Sequence, residues 1–243
     1  KSYYRNDKNY LFCYFPHALY PAGLFPLRKY YQERYGMTML FTGADILFHV
    51  PILRRLMTWW GMTHVSKHAV TRHLTQSTYP HNLLMISPDG IQGMFYGLDK
   101  EQIVLQKRKG FCKVALRTGA SLVPCYMMGA NQLYDRYWGC TSLAFYISHW
   151  THMSLVYWTD RFRIPFGFIP KPIKMIIFVG RPIDIPNPIE NPTPEQISDL
   201  HTEFISRLRT LFEKYKYRMG HEWVINRGDK LYLEDESIPK KIQ

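Results

Sequence analysis

Cysteine is scarce in this chain and scattered. The four residues, Cys13, Cys112, Cys125 and Cys140, form no Cys-x-x-Cys pair, and the first three lie in apolar segments. That pattern argues against a zinc site and a disulfide framework and suits a reducing, cytosol-facing environment. No run of eighteen apolar residues is present, which excludes a clean transmembrane helix within these residues, and no signal peptide is visible. Ser/Gly linkers, internal repeats and low-complexity tracts are also missing, so 243 residues read as one domain. Acidic residues are outnumbered, 19 Asp+Glu against 31 Lys+Arg. The excess favours anionic partners without choosing among nucleic acid, membrane phosphates and a phosphorylated substrate such as a coenzyme A thioester. The bases are dispersed and no nucleic-acid motif supports the first of these.

Aromatic residues, by contrast, make up 16% of the chain, with 6 Trp and 18 Tyr. Such side chains have an apolar body and a polar tip and suit a membrane surface as well as a core. Tyr10 to Phe15 is an apolar run that stops at Pro16, which removes a backbone donor, and it presents His17 at the C-terminal end of the expected strand. Leu27 to Tyr35 predicts a short helix closed by Gly36, and Leu40-Phe41 a strand. From Pro51 to Gly61, Ile52, Leu53, Leu56, Met57 and Trp60 recur at helical spacing, and we expect that stripe to pack into the core. Ser66 is a candidate N-cap for a helix running to Gln76, and Asn82 to Ser87 predicts a strand ending at the turn Pro88-Asp89-Gly90.

Further along, Lys107-Arg108-Lys109-Gly110 opens a helix over Phe111 to Arg117, stopped by Gly119. Strands are expected over Ser121 to Met128 and Met175 to Val179. Between them, Tyr137 to Thr159 holds no Asp, Glu, Lys or Arg yet is too polar for a span; it reads either as the wall of a lipid-facing cavity or as core strands. Thr193-Pro194-Glu195-Gln196 is a capping box that starts an amphipathic helix ended by Gly220, and residues 224–243 read as a polar C-terminal tail. The alternation of strands and helices predicts an α/β domain over residues 1–223, a mixed β-sheet flanked by helices with its site at the strand ends.

Several blocks carry a resemblance: Pro16-His17 followed by Leu19-Tyr20-Pro21-Ala22-Gly23, then Phe48-His49-Val50-Pro51-Ile52-Leu53-Arg54, then Pro88-x-Gly90-Ile91-Gln92. Arg108-Lys109-Gly110-Phe111-Cys112-Lys113-Val114-Ala115-Leu116, Gly129-x-Asn131-x-x-Tyr134 and Val179-Gly180-Arg181-Pro182-Ile183 complete the series. In this order they resemble the type-2 diacylglycerol acyltransferase family, in particular its plant and algal members, and more broadly the glycerolipid acyltransferases. The resemblance implies a membrane-associated acyltransferase fold, with a membrane anchor expected upstream of Lys1. It implies acyl-CoA as co-substrate, a neutral lipid as acceptor, no cofactor and no metal. It also implies a place on the cytosolic face of the endoplasmic reticulum membrane or on a lipid droplet. Oligomeric state is left open.

On that reading His17 is the catalytic histidine, because an imidazole titrating near neutrality can take the proton of an attacking hydroxyl. Pro16, Gly90 and Gly110 belong to the substrate-binding turns. Gln92 and Asn131 are the side-chain candidates for the tetrahedral oxyanion. Arg108 and Lys109, at a helix opening, are candidates for the coenzyme phosphates. Three departures matter: Gly93 stands where the family usually carries Glu, Phe15 where it carries His or Glu, and Ala130 where it carries a polar residue. Asp89, which stands where that family has Gly, is the candidate for a replacement carboxylate. Transfer to monoacylglycerol or a long-chain alcohol, and a catalytically weak lipid- or acyl-CoA-binding relative, are the alternatives. A lysophospholipid acyltransferase ranks behind them, because Ala22 stands where that group has Asp.

Overall fold

The structure, a computed structural model, describes residues 4–5, 7–19, 23–75, 83–137 and 156–236. Its frame is a six-stranded sheet made of β1 (Tyr10–Phe15), β2 (Met39–Gly43), β3 (Met62–His64), β4 (Leu83–Ile86), β6 (Ser121–Met128) and β9 (Ile176–Val179), ordered β3-β2-β4-β1-β6-β9. All neighbours run parallel except β6 and β9, so the sheet is mixed, as expected. Central β1 pairs with β4 on one side, Phe12 opposite Met85, and with β6 on the other, Phe12 opposite Val123.

Every residue of β1 is buried because both faces of the sheet are covered. Leu11, Cys13 and Phe15 point into one apolar layer, with Phe111, Leu116, Phe204 and Phe212 from the helices α5 (Gly110–Thr118) and α6 (Pro194–Tyr215). Tyr10, Phe12 and Tyr14 point into the other, against Leu24, Leu27 and Tyr31 of α1 (Leu24–Tyr35). The start of α6 follows its sequence: Thr193 Oγ1 accepts from Gln196 N, and Gln196 Oε1 accepts from Thr193 N. The regular helix stops at Tyr215, and a 3-10 turn over Lys216–Met219 carries the chain on to Gly220. Ser66 accepts from Ala69 N at the start of α3 (Lys67–Thr75); its expected last residue, Gln76, lies outside the described residues.

Two expectations are corrected. The apolar stripe of α2 (Pro51–Trp59) is not core: Met57 alone of the helix is buried, while Ile52 is 74% and Trp59 78% exposed. The reason is position. β3 is the edge strand of the sheet, and α2 packs on it and on the 3-10 turn Asp45–Phe48, so the rest of its stripe faces outward. The expected tail after residue 223 is also folded as far as Glu236. Helix α7 (His221–Asn226) crosses that boundary, and β10 (Tyr232–Leu233) pairs in parallel with β5 (Gln102–Ile103). Leu231, Tyr232 and Leu233 are buried, an apolar trio that a polar flanking sequence concealed. Most of the uncharged segment between Tyr137 and Thr159 lies outside the described residues. Its ends form the antiparallel pair β7 (Asp135–Tyr137) and β8 (Tyr157–Thr159). Among the described residues no helix is long and apolar enough to cross a membrane.

Candidate active site

His17 leaves the C-terminal end of β1 after a cis peptide bond between Phe15 and Pro16. The ring is fixed by its own loop: Nδ1 lies 2.9 Å from the carbonyl oxygen of Ala18, a residue held at φ 50°. A carbonyl oxygen can only accept, so Nδ1 carries the proton and Nε2 is left as the basic nitrogen. No carboxylate is required to choose that tautomer.

Asp89 acts one bond further back. Its carboxylate is fully buried, Oδ2 accepting the backbone N–H of His17 at 2.8 Å and Oδ1 the hydroxyl of Ser87 at 2.9 Å. The Ser87 hydroxyl also lies 3.0 Å from the carbonyl oxygen of Tyr14. The turn after β4 is thereby tied to the turn after β1, which is possible because these strands are neighbours in register. Burial pushes the Asp89 carboxyl above the usual carboxylate range, and the nearby His17 and the Ser87 hydroxyl pull in the opposite sense. Asp89 therefore positions the histidine's backbone and does not touch its ring nitrogens.

Gly93, the last residue of the one-turn helix α4 (Gly90–Gly93), explains itself in the same place. A Cβ there would sit 2.3 Å from Asp89 Oδ2 and 2.5 Å from its Cγ. The carboxylate of Asp89 thus fills the space into which a side chain at residue 93 would grow. One of the two positions can carry a carboxylate at this spot, and in this chain it is 89.

His17 lines a cavity of about 590 Å3 with Thr42, Ile46, Val65, Ser87 and Ile91 among its walls. A second cleft of about 390 Å3 shares Val65, Ser87 and Gly90 with the first, and its walls include Lys67, Lys107, Arg108, Lys109 and Gly110. The cationic side chains expected at the opening of α5 thus stand next to the histidine's cavity. Gly90, at φ 55°, borders both spaces. Lys67 carries no signal of its own in the sequence; only the fold brings it across to the basic turn. Glu234 was missed altogether. Its carboxylate accepts the backbone N–H groups of Leu105, Gln106 and Lys107 at 2.7, 3.1 and 3.3 Å and so shapes that turn from the far end of the chain.

The two oxyanion candidates are engaged elsewhere. Gln92 Oε1 accepts from Arg108 Nη2 at 2.5 Å, which makes it a support for the basic cleft. Asn131 is buried with Glu101, Arg136 and Arg227: its Oδ1 accepts from Arg136 Nη2 at 3.2 Å, and it borders neither cavity. Burial pushes the Glu101 carboxyl up while Arg227 pulls it down, and Tyr126 donates its hydroxyl to Glu101 at 2.7 Å. That cluster welds β6, β7 and the segment after α7 together, a structural duty the sequence could not reveal. Phe15 and Ala130 are likewise core residues, in opposite apolar layers.

A histidine whose Nε2 has no hydrogen-bond partner among the described residues, a mostly apolar cavity lined by it and a cationic cleft sharing that cavity's wall, at the C-terminal edge of a mostly parallel sheet, define an α/β site that can hold an apolar group next to an anionic one. Comparison narrows the class: a family model described as diacylglycerol acyltransferase matches residues 2–226, and the chain belongs to that family and is an acyltransferase. It is 30% identical to diacylglycerol O-acyltransferase 2 of Dictyostelium discoideum over 88% of this chain and 68% of that protein. It is also 30% identical to diacylglycerol O-acyltransferase 1 of Schizosaccharomyces pombe, over 87% and 64%, and to 2-acylglycerol O-acyltransferase 1 of Mus musculus, over 89% and 69%. The chain spans about two thirds of the length of these relatives. Among solved structures, the 1-acyl-sn-glycerophosphate acyltransferase PlsC of Thermotoga maritima superposes with a TM-score of 0.49 at 14% identity, over 87% of this chain and 68% of that one. So loose a likeness says nothing about this chain's chemistry.

Proposed function

We propose that this acyltransferase moves a fatty acyl group from acyl-CoA to the free hydroxyl of diacylglycerol, with His17 as general base, on the cytosolic face of the endoplasmic reticulum membrane or at a lipid droplet. The observation that carries the chemistry is the bond from Nδ1 of His17 to the Ala18 carbonyl, which in the neutral ring makes Nε2 the acceptor nitrogen, at the wall of a mostly apolar cavity that also carries Asp45 and His49. In the reaction Nε2 takes the hydroxyl proton as the oxygen attacks the thioester carbonyl. The tetrahedral adduct then collapses, the C–S bond breaks, and the thiolate leaves and recovers the proton from the imidazolium. Arg108, Lys109 and Lys67 hold the coenzyme's phosphates in the adjoining cleft. Relatives named for diacylglycerol and for 2-acylglycerol stand at the same identity, so the acceptor is chosen on the larger number of diacylglycerol names.

The test is an acceptor panel on membranes expressing this chain, with labelled acyl-CoA and diacylglycerol, monoacylglycerol, a long-chain alcohol and a lysophospholipid as acceptors. His17→Ala and His17→Gln should each remove turnover on the preferred acceptor by a factor of about 1,000 or more. Activity equal to the parent in both would refute His17 as base. Acyl-CoA binding without turnover on any acceptor would replace the enzyme reading with that of a binding protein.

A further inference from the structure

The segment between β8 and β9 carries a surface that the reaction does not use. Phe162 is 62% exposed and Phe168 86%, and Ile164, Phe166 and Ile169 are each half exposed or more. A loose loop would fold such side chains onto the protein, but this one is braced from within. The buried carboxylate of Asp160 accepts the backbone N–H groups of Phe162 and Ile164, both at 2.9 Å. Arg161 N donates to the Ile169 carbonyl at 3.0 Å and closes the base. Trp158 Nε1 donates to the Gly167 carbonyl at 3.0 Å and the Tyr134 hydroxyl to the Phe168 carbonyl at 2.9 Å. A Cβ on Gly167 would strike Asp160 Oδ2 at 2.3 Å, so the brace needs glycine there. Arg163 and Phe166 are held at φ 60° and 54°, a conformation non-glycine residues leave unless their surroundings fix it.

Charge and place point the same way. Arg161 and Arg163 are exposed and have no carboxylate partner among the described residues, and Asp160, the sole acid between Thr159 and Arg181, is spent inside the loop. Ile176 pairs with Met128, and Lys171 N donates to the Leu133 carbonyl at 2.9 Å. The finger therefore stands beyond the C-terminal end of β6, on the sheet edge where His17 leaves neighbouring β1. Ile46, 43% exposed, lies on that edge at the mouth of the His17 cavity.

We propose that the braced finger 160–169 inserts Phe162, Phe168 and their apolar neighbours into a lipid surface bearing anionic headgroups, and so turns the His17 cavity towards the layer that holds its acceptor. The last clause rests on the acyltransferase reading; the docking itself does not. Exposed rings on a braced turn, with Arg161 lying over the Phe162 ring at 5.6 Å and neither Arg161 nor Arg163 held by a carboxylate among the described residues, match a fluid layer with apolar depth and phosphate above it.

The experiment is flotation of this chain with phosphatidylcholine vesicles, with and without phosphatidylserine, alongside turnover of a short-chain diacylglycerol dissolved as monomers. Phe162→Ser with Phe168→Ser should lower vesicle partitioning by about tenfold or more, with the thermal midpoint and turnover of the dissolved acceptor unchanged. Arg161→Gln with Arg163→Gln should remove the preference for phosphatidylserine, by about fivefold per charge. Parental vesicle binding in the Phe pair overturns the proposal. So does a parent that self-associates in solution while the Phe pair is monomeric and still binds vesicles, since the finger would then be a contact between copies. If the parent floats but turns over nothing, the docking stands and the catalytic reading falls.

Discussion

The contact between Asp89 and Gly93 can be tested by exchanging them. Asp89→Gly removes the acceptor of the His17 N–H, 2.8 Å away, and the partner of Ser87, 2.9 Å away, in a site with no exposure. A hydrogen bond to a buried charged group contributes about 1.5–3 kcal/mol. If most of that falls on the placement of the histidine, kcat drops about ten- to a hundredfold. Gly93→Glu alone is worse, because its Cβ would begin 2.3 Å from Asp89 Oδ2 and would bring a second carboxylate against the first. In the double variant, Asp89→Gly with Gly93→Glu, the space is vacated and the carboxylate returns from the other side of the turn. We expect the double variant to be at least tenfold more active than the product of the two single losses predicts, a coupling of about 1.4 kcal/mol or more. The assay is kcat with saturating acyl-CoA for all four proteins, with thermal midpoints to separate placement from unfolding. Multiplicative losses would refute the claim that the two positions share one site, and so would Gly93→Ala with parental activity.

Two further outcomes follow from residues outside the site. Glu234→Ala should raise the KM for acyl-CoA severalfold at nearly constant kcat and lower stability by about 1.5 kcal/mol, because three backbone N–H groups of the basic turn lose their acceptor; titrating initial rates against acyl-CoA checks it. Burial holds His201 below its ordinary pKa of 6.5, and as a neutral ring its Nε2 donates to the Leu105 carbonyl at 3.0 Å. A depressed histidine contributes stability that is complete above 6.5 and is lost as pH falls through its lower folded value. His201→Gln, which can keep that donor, should flatten the loss of thermal midpoint on the acid side. An unchanged slope would place the acid sensitivity elsewhere.

The elements were legible where local rules and burial agreed. β1 and β6 read as apolar runs because both faces of a parallel sheet are covered, and α6 announced itself with a capping box and a clean stripe. α2 shows the limit of that logic. Its stripe is as regular, yet periodicity states only that one face is apolar, and a helix on the sheet margin leaves such a face in solvent. Tyr232-Leu233 shows the converse: two residues are enough for a strand once β5 offers an edge, and nothing in so short a stretch announces that offer.

The site was legible as a set of turns but not as a set of contacts. Position along the chain marked the missing carboxylate at 93 and pointed to Asp89 as its replacement, but not to what Asp89 would hold. In space its carboxylate accepts the backbone N–H of His17 and fills the volume that keeps residue 93 a glycine. It was never needed on the ring, because the Ala18 carbonyl sets the tautomer. What the carboxylate holds is the backbone of the turn, through His17 N on one oxygen and Ser87 on the other. Two adjacent strands must be in register for both bonds to form, so the placement of the histidine depends on β1 and β4 as a pair. A motif read position by position scores Gly93 and Asp89 separately; in space they are a single feature, a buried carboxylate tied to two strand ends that fills the volume beside residue 93.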